Sequence, residues 1–281
     1  MAKLVLVTND DGVTSPGVTA LADAAELVAR VMIVAPDGER SAAGMSLTFH
    51  KPLRVKEVRV GGRLCRAVSG SPADSTMIAI HNFLPRKPDA VISGINIGEN
   101  LTVQDIFASG TVAAALQGAL LGVPAIAFSM EVPEDKYDGG TTVSDFRSAA
   151  TAAAAILAEV LERGLPKGVD LLNVNFPWKM DSKTPVKITT PGARKYKDYV
   201  LTRRDPRGRP YYWLGGTRYP AYRTDTDIFA VHKERAVSIS PLSVALEPRN
   251  SEETRKFSAG LTTRIETTMK NSLSGINREQ R

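Results

Sequence analysis

LVLVTNDDGVTSPG, residues 4 to 17, decides the fold. Its first five residues are apolar or β-branched with no polar alternation, the pattern of a strand buried on both faces. Turn formers follow from Asn9 to Gly12, then Pro16, which suits the first turn of a helix. Strand, tight turn and helix start, in that order, open a parallel α/β sheet.

Outward from this unit the alternation repeats. MIVAP (32–36), AVISGI (90–95), AIAFS (125–129) and LLNVNF (171–176) read as further buried strands. Helical patterns lie between them, from Pro16 to about Arg30, at 72–83, from Thr111 to Leu121 and through an alanine-rich stretch at 142–163. The expected fold is a Rossmann-like, doubly wound, mostly parallel sheet over residues 1–182. A chain of 281 residues, 43% apolar, can bury such a core and carry a smaller appendage. After Pro177 the segments turn proline-rich, basic and aromatic, with short alternating runs VKITT (186–190), RPYYWL (209–214) and AVSISPL (236–242). They predict a β-rich extension of residues 183–281, a β-hairpin and a tail, suited to oligomer contacts.

Cys65 stands alone, which excludes an intrachain disulfide and a zinc–thiolate site and fits a reducing compartment. No apolar run has the length of a membrane span or the shape of a secretory leader, so a cytoplasmic protein without a membrane partner is expected. Charge divides unevenly, −4 over residues 1–182 and +10 over 183–281. Between Arg194 and Arg223 nine basic residues face only Asp198 and Asp205, with tyrosines and Trp213 interleaved. Such a surface steers anions, or is simply a solvated basic face. It also keeps open an RNA- or nucleotide-binding protein with a structural metal site, although that reading explains none of the loops described next.

Asp10 and Asp11 fall at the carboxyl end of the first strand, where open α/β sheets gather ligands. Two unit charges 4 Å apart repel by about 4 kcal/mol at an effective dielectric near 20, and a bound cation removes that cost. Oxygen-only donors favour a hard ion such as Mg²⁺ or Mn²⁺ over zinc. The plainer alternative is a helix cap with an exposed turn acid. Two other strand ends bring DGERSAAG (37–44), with Ser41, and Asn96, Gly98 and Asn100 toward the same crevice. Ser109-Gly110-Thr111 opens a helical run, a ready seat for phosphate. It lacks GxxxxGK[ST] and is no P-loop.

VTNDDGVTSPG (7–17), APDGERSAAGMSLT (35–48), SGSPADST (69–76), DAVISGINIGEN (89–100), SGTVAAALQGALLGVPAIAFS (109–129) and LLNVNFP (171–177) resemble, in order, the landmarks of the survival protein E (SurE) family. The resemblance implies a metal-dependent phosphatase acting on nucleoside monophosphates as a 5′- or 3′-nucleotidase, in some members on short polyphosphate. It implies one divalent cation per subunit and assembly at least to a homodimer, or to a homotetramer. Matched by motif, Asp10, Asp11, Ser41 and Asn96 stand at metal positions, while Asn9, Asn96, Ser109, Gly110 and Thr111 stand where the phosphate is bound. Asp10, Asn9 and Ser109 form the expected catalytic set, with Asp10 orienting or deprotonating water or itself attacking phosphorus. The family usually reads Gly-Thr-Pro-Ala-Asp-Cys-Val where this chain has Gly70-Ser71-Pro72-Ala73-Asp74-Ser75-Thr76, a departure expected to bear on substrate preference. His50, His81 and His232 stay outside the catalytic set.

Overall fold

The computed structural model describes residues 2–137, 139–245 and 252–279. Residues Met1–Val244 form one compact unit and Ala245–Arg281 a second.

The first unit is built on a nine-stranded sheet of order β3-β4-β2-β1-β5-β6-β7-β11-β8. Its strands are β1 (Leu4–Thr8), β2 (Arg30–Pro36), β3 (Val55–Val60), β4 (Arg63–Val68), β5 (Ala90–Ile97), β6 (Ala125–Met130), β7 (Leu171–Phe176), β8 (Val186–Ile188) and β11 (Val237–Leu242). The central pairings from β4 through β7 are parallel. Antiparallel partners stand outside them, β3 on β4 and β11 on β7.

Alternation along each strand sorts side chains to two faces. Val5, Val7, Ile92, Phe128 and Phe176 pack toward one, with Val18 and Leu21 of α1 (Pro16–Ala25) and Ala153 and Leu157 of α5 (Arg147–Arg163). Leu6, Val91 and Ala127 pack toward the other, with Val112 and Ala115 of α4 (Gly110–Leu120) and Ala79 just beyond α2 (Pro72–Ile78). The doubly wound expectation is met. Close packing fixes where the layers meet: a Cβ on Gly17 would sit 1.9 Å from the Ile95 carbonyl oxygen, so α1 rests on β5 only because residue 17 has no side chain.

The expected hairpin is present as β9 (Tyr196–Arg204) and β10 (Pro210–Arg218), nine paired residues apart from the main sheet. The rest of the extension differs from expectation. The boundary expected at 182 falls inside the first unit, because β11 pairs with β7 and β8 with β11 to complete the sheet. Two short helices, α3 (Thr102–Ala108) and α6 (Asp227–His232), were not anticipated, nor was the β3–β4 hairpin turning at Gly61-Gly62. In the second unit, where a β-rich tail was expected, α7 (Glu252–Glu279) is helical. Phe257, Leu261, Ile265 and Met269 recur every four residues, a helical period and not a strand's. Residues 246–251 and 280–281 of the expected tail lie outside the described residues. Among the described residues no helix is long and apolar enough to cross a membrane.

Candidate active site

Because β1 lies between β2 and β5, the loops that follow these three strands meet at one edge of the sheet. Gly12, at φ +99°, turns the chain out of β1, and a Cβ there would press to 3.1 Å on the backbone of Gly38. The two loops are laced together, Arg40 N–H donating to the Asp10 carbonyl at 2.8 Å and Val13 N–H to that of Pro36 at 2.9 Å. Asn173 and Asn175, two apart and so on one face of β7, both donate to the Asn100 carbonyl, at 2.9 and 3.1 Å, and pin the loop after β5.

These loops and the α3–α4 junction enclose a cleft of about 570 Å³. Asp10, Asp11, Glu39, Ser41, Asn96, Asp105, Ser109 and Tyr137 are among the residues that line it. Four carboxylates line the cleft, and no lysine, arginine or histidine does so among the described residues.

Burial dominates the electrostatics of the acid pair. Asp10 is raised above the usual carboxylate range by burial and further by the Glu39 charge, against hydrogen bonds from Thr111 that pull it down. Asp11 is pushed well above, first by burial and then by the Asp10 charge, with the Ile97 N–H as its counterweight at 3.3 Å. Thr111 donates its hydroxyl to Asp10 Oδ1. Gly110 gives Asp10 its room, since a Cβ there would lie 2.7 Å from that of Asp10.

The expected site residues divide by what they still have to offer. Asn9 is fully buried, does not line the cleft, and spends its amide N–H groups on the Gly12 carbonyl (3.0 Å) and Ser15 Oγ (2.8 Å). It holds the turn and presents no donor to a phosphate; its Oδ1 is a buried acceptor with no partner among the described residues. Asn96 turns its amide nitrogen to the Gly98 and Ile97 carbonyls, at 2.8 and 3.4 Å, which leaves Oδ1 for the cleft. Ser41 donates to Glu39 and keeps its lone pairs. The Thr111 hydroxyl is committed to Asp10, whereas Ser109 Oγ caps α4 by accepting from Val112 N–H at 3.1 Å and retains its proton.

What Asp10, Asp11, Ser41 and Asn96 have spare is acceptor oxygen, which fits a hard divalent cation. The fit rests on two carboxylates helped by a hydroxyl and an amide carbonyl; among the described residues no group of three or more His, Cys, Asp or Glu side chains is arranged to hold a metal.

Behind Asp105 lies a cluster with no sequence signal, because its members are far apart in the chain. Lys195 Nζ reaches Glu99 Oε1 at 2.9 Å and Asp105 Oδ2 at 3.1 Å, and His232 Nε2 lies 3.3 Å from Glu99 Oε1. Burial alone would raise Glu99, but the His232 hydrogen bond and the Lys195 charge bring it down to about 2. His232 thus serves at the end of α6 as a partner of Glu99. His50 and His81 do not line the cleft.

The departure at residues 71–76 also finds its place. Ser71 and Asp74 form a reciprocal cap on α2, Ser75 donates back to the Ser71 carbonyl at 3.0 Å and Thr76 to that of Ala114 at 3.1 Å. These hydroxyls serve α2 and its contact with α4; none of the three residues Ser71, Ser75 and Thr76 lines the cleft.

Fold and site together define a doubly wound α/β protein with an acidic, oxygen-lined cleft at its strand ends, closed by a helix N-terminus. The family described as Survival protein SurE matches residues 5–198. Named relatives agree: the 5′-nucleotidase SurE of Methanocella arvoryzae is 45% identical over 245 residues, 86% of this chain and 92% of its own. That of Geobacter sulfurreducens is 47% identical over 246 residues, 86% and 88% respectively. The crystal structure of the SurE protein from Aquifex aeolicus superposes with a TM-score of 0.77 at 36% identity, covering 91% of this chain and 99% of its own. The chain belongs to the SurE family.

Proposed function

We propose that this protein is a divalent-cation-dependent phosphatase hydrolysing nucleoside monophosphates and related phosphate monoesters, with short polyphosphate as a further substrate. Relatives that bear the name 5′-nucleotidase support the reaction class. The observation that carries the reading is a buried acid pair without a cationic side chain, set against the N-terminus of α4.

Asp10, Asp11, Ser41 and Asn96 would hold one Mg²⁺ or Mn²⁺ per subunit. When bound, that ion offsets the paired negative charge and polarises the phosphate ester. Ser109 donates its hydroxyl to a phosphate oxygen, and the positive end of the α4 dipole favours the anion there. Asp10, its carboxylate fixed by Thr111, orients the attacking water; Gly110 lets ester and acid approach. Asn9 acts behind them by holding the turn that aims both aspartates. Hydrolysis of a substrate with a chiral phosphorus should invert its configuration, as one direct water attack requires; net retention would make Asp10 the nucleophile.

Tyr212, Trp213 and Leu214 are exposed along the β9–β10 hairpin, and a two-stranded ribbon is marginal by itself. We therefore also propose a homodimer or homotetramer contacting through this hairpin, which sedimentation at working concentration checks. The lone buried Cys65 fits a cytoplasmic setting.

The deciding experiment dialyses the protein free of metal and assays nucleoside monophosphates, polyphosphate and an aryl phosphate with each divalent ion restored in turn. Phosphate release that depends on an added ion is expected. Undiminished release in chelator contradicts the proposal.

A further inference from the structure

The basic, tyrosine-rich stretch from Arg194 to Arg223 has no part in the chemistry proposed above, yet its two ends meet around a second pocket. Arg194, Tyr219, Tyr222, Arg223, Thr226 and Ile228 line a volume of about 290 Å³, and no residue of this pocket also lines the acidic cleft. The two differ in sign. Among the described residues the cleft is lined by carboxylates and no basic side chain, the pocket by two arginines and no carboxylate.

Its walls are fixed by bonds to the rest of the fold. Thr226 and Ile228 are buried, and Tyr222 packs against Ile228, Leu101 and Val231. The Tyr219 N–H and the Tyr222 hydroxyl both donate to the Lys195 carbonyl, at 3.1 and 3.4 Å, while the Gly192 N–H donates to Asp227 Oδ1 at 2.9 Å. Thr226 donates its hydroxyl to the Arg223 carbonyl at 2.6 Å and holds that turn. Tyr219 itself is 38% exposed. An aromatic residue with its backbone tied down and part of its surface open is a place for a flat base to stack.

The arginines supply the charge. Their side chains are 54% and 80% exposed, and each is braced by a carboxylate that does not line the pocket. Asp198 pairs with Arg194, and Asp225 accepts from Arg223 Nε and Nη2 at 3.1 and 2.5 Å. A guanidinium carries several N–H donors in one plane, so Arg223 engaged in this way still has those of Nη1 to offer. Ion pairs this exposed are weak, and phosphate is the oxyanion whose bidentate geometry an arginine fork matches. The volume is at the small end for a ligand pocket, which suits one base and not several.

We propose that this pocket is a second nucleotide site, separate from the cleft, where one nucleobase stacks on Tyr219 and its phosphate is held by Arg194 and Arg223. The ligand is a free nucleoside monophosphate or one unit of a single-stranded RNA, which share this chemistry. A nucleotide here meets no acid pair and is bound without being hydrolysed, so the site stands independently of the phosphatase reading.

The test titrates three probes into the full chain in chelator, which leaves the acidic cleft repelling phosphate: a nucleoside monophosphate, a single-stranded oligoribonucleotide and inorganic phosphate. Tyr219→Ala, and Arg194→Ala combined with Arg223→Ala, should each weaken nucleotide binding about tenfold or more, given what a stacked base and charge-assisted bonds contribute. Tyr219→Phe should bind as wild type does. The substituted side chains are exposed, and circular dichroism checks that each variant is folded. Binding of the monophosphate identifies a free nucleotide as the ligand, and binding of the oligonucleotide alone identifies a strand. Binding of neither, inorganic phosphate held as tightly as the nucleotide, or affinities that the substitutions leave unchanged would overturn the site.

Discussion

Glu99 is buried beside Lys195 and His232 and is ionised far below its ordinary value; Asp10 and Asp11, which line the cleft, are buried beside further carboxylates and are raised. The two clusters share the cost of taking charge out of water and differ in who supplies the opposite sign. For Glu99 the chain itself provides it, through residues 96 and 133 positions away in sequence. For the aspartates no lysine, arginine or histidine among the described residues lines the cleft beside them.

The largest effect should come from neutralising the acid pair. Asp10→Asn with Asp11→Asn is expected to lower phosphate release at least about 10³-fold, since it removes the preorganised charge on which the reaction depends; steady-state assay at saturating Mn²⁺ checks it. At the other cluster, Lys195→Met should remove the cation that Glu99 and Asp105 share, leaving Glu99 with His232 and no lysine, and cost about 3–5 kcal/mol of stability, read from denaturant unfolding. If Lys195→Met is neutral in stability, the contrast between the clusters fails.

A smaller loss tests the spacing. Gly110→Ala would set a Cβ 2.7 Å from that of Asp10, and the displaced acid should reduce kcat by about 10²-fold with the fold retained, by assay and circular dichroism together.

The smallest effect has the opposite sign at the two clusters. Because Asp11 is raised in the folded chain, metal-free protein should lose stability as pH climbs above its ordinary 3.8 toward neutrality. Asp11→Asn should then raise Tm in chelator at pH 7 by about 3–6 °C while abolishing turnover. Glu99, depressed to about 2 from its ordinary 4.5, contributes stability that is present above 4.5 and lost as pH falls toward 2. Melting curves of wild type, Asp11→Asn and Glu99→Gln across this range separate the two contributions.

What could be read in sequence follows the same division. LVLVT and LLNVNF became β1 and β7 with the bounds expected, since an uninterrupted apolar run is a local signal. Asp10, Asp11, Ser41, Asn96 and Ser109 were visible because each follows a strand or opens a helix. Glu39 lay within DGERSAAG and was passed over, though it faces the same cleft. Asn9 and Thr111, expected at the phosphate, do not line the cleft, and their hydrogens are committed to Gly12, Ser15 and Asp10, which no local pattern shows. The Glu99–Lys195–His232 cluster depends on contacts across the whole chain, which no local pattern encodes. VKEVRV and RLCRAV carry no such signal, because charged residues at 56, 57, 59, 63 and 66 interrupt their apolar positions.

Calorimetric titration of Mn²⁺ into metal-free wild type and the doubly substituted Asp10→Asn, Asp11→Asn protein, at two pH values, addresses the central claim most directly. One saturable ion per chain, bound more tightly at the higher pH as protons leave the acid pair and lost in the variant, is the predicted result. Equal binding by both proteins, or none by the wild type, would contradict it.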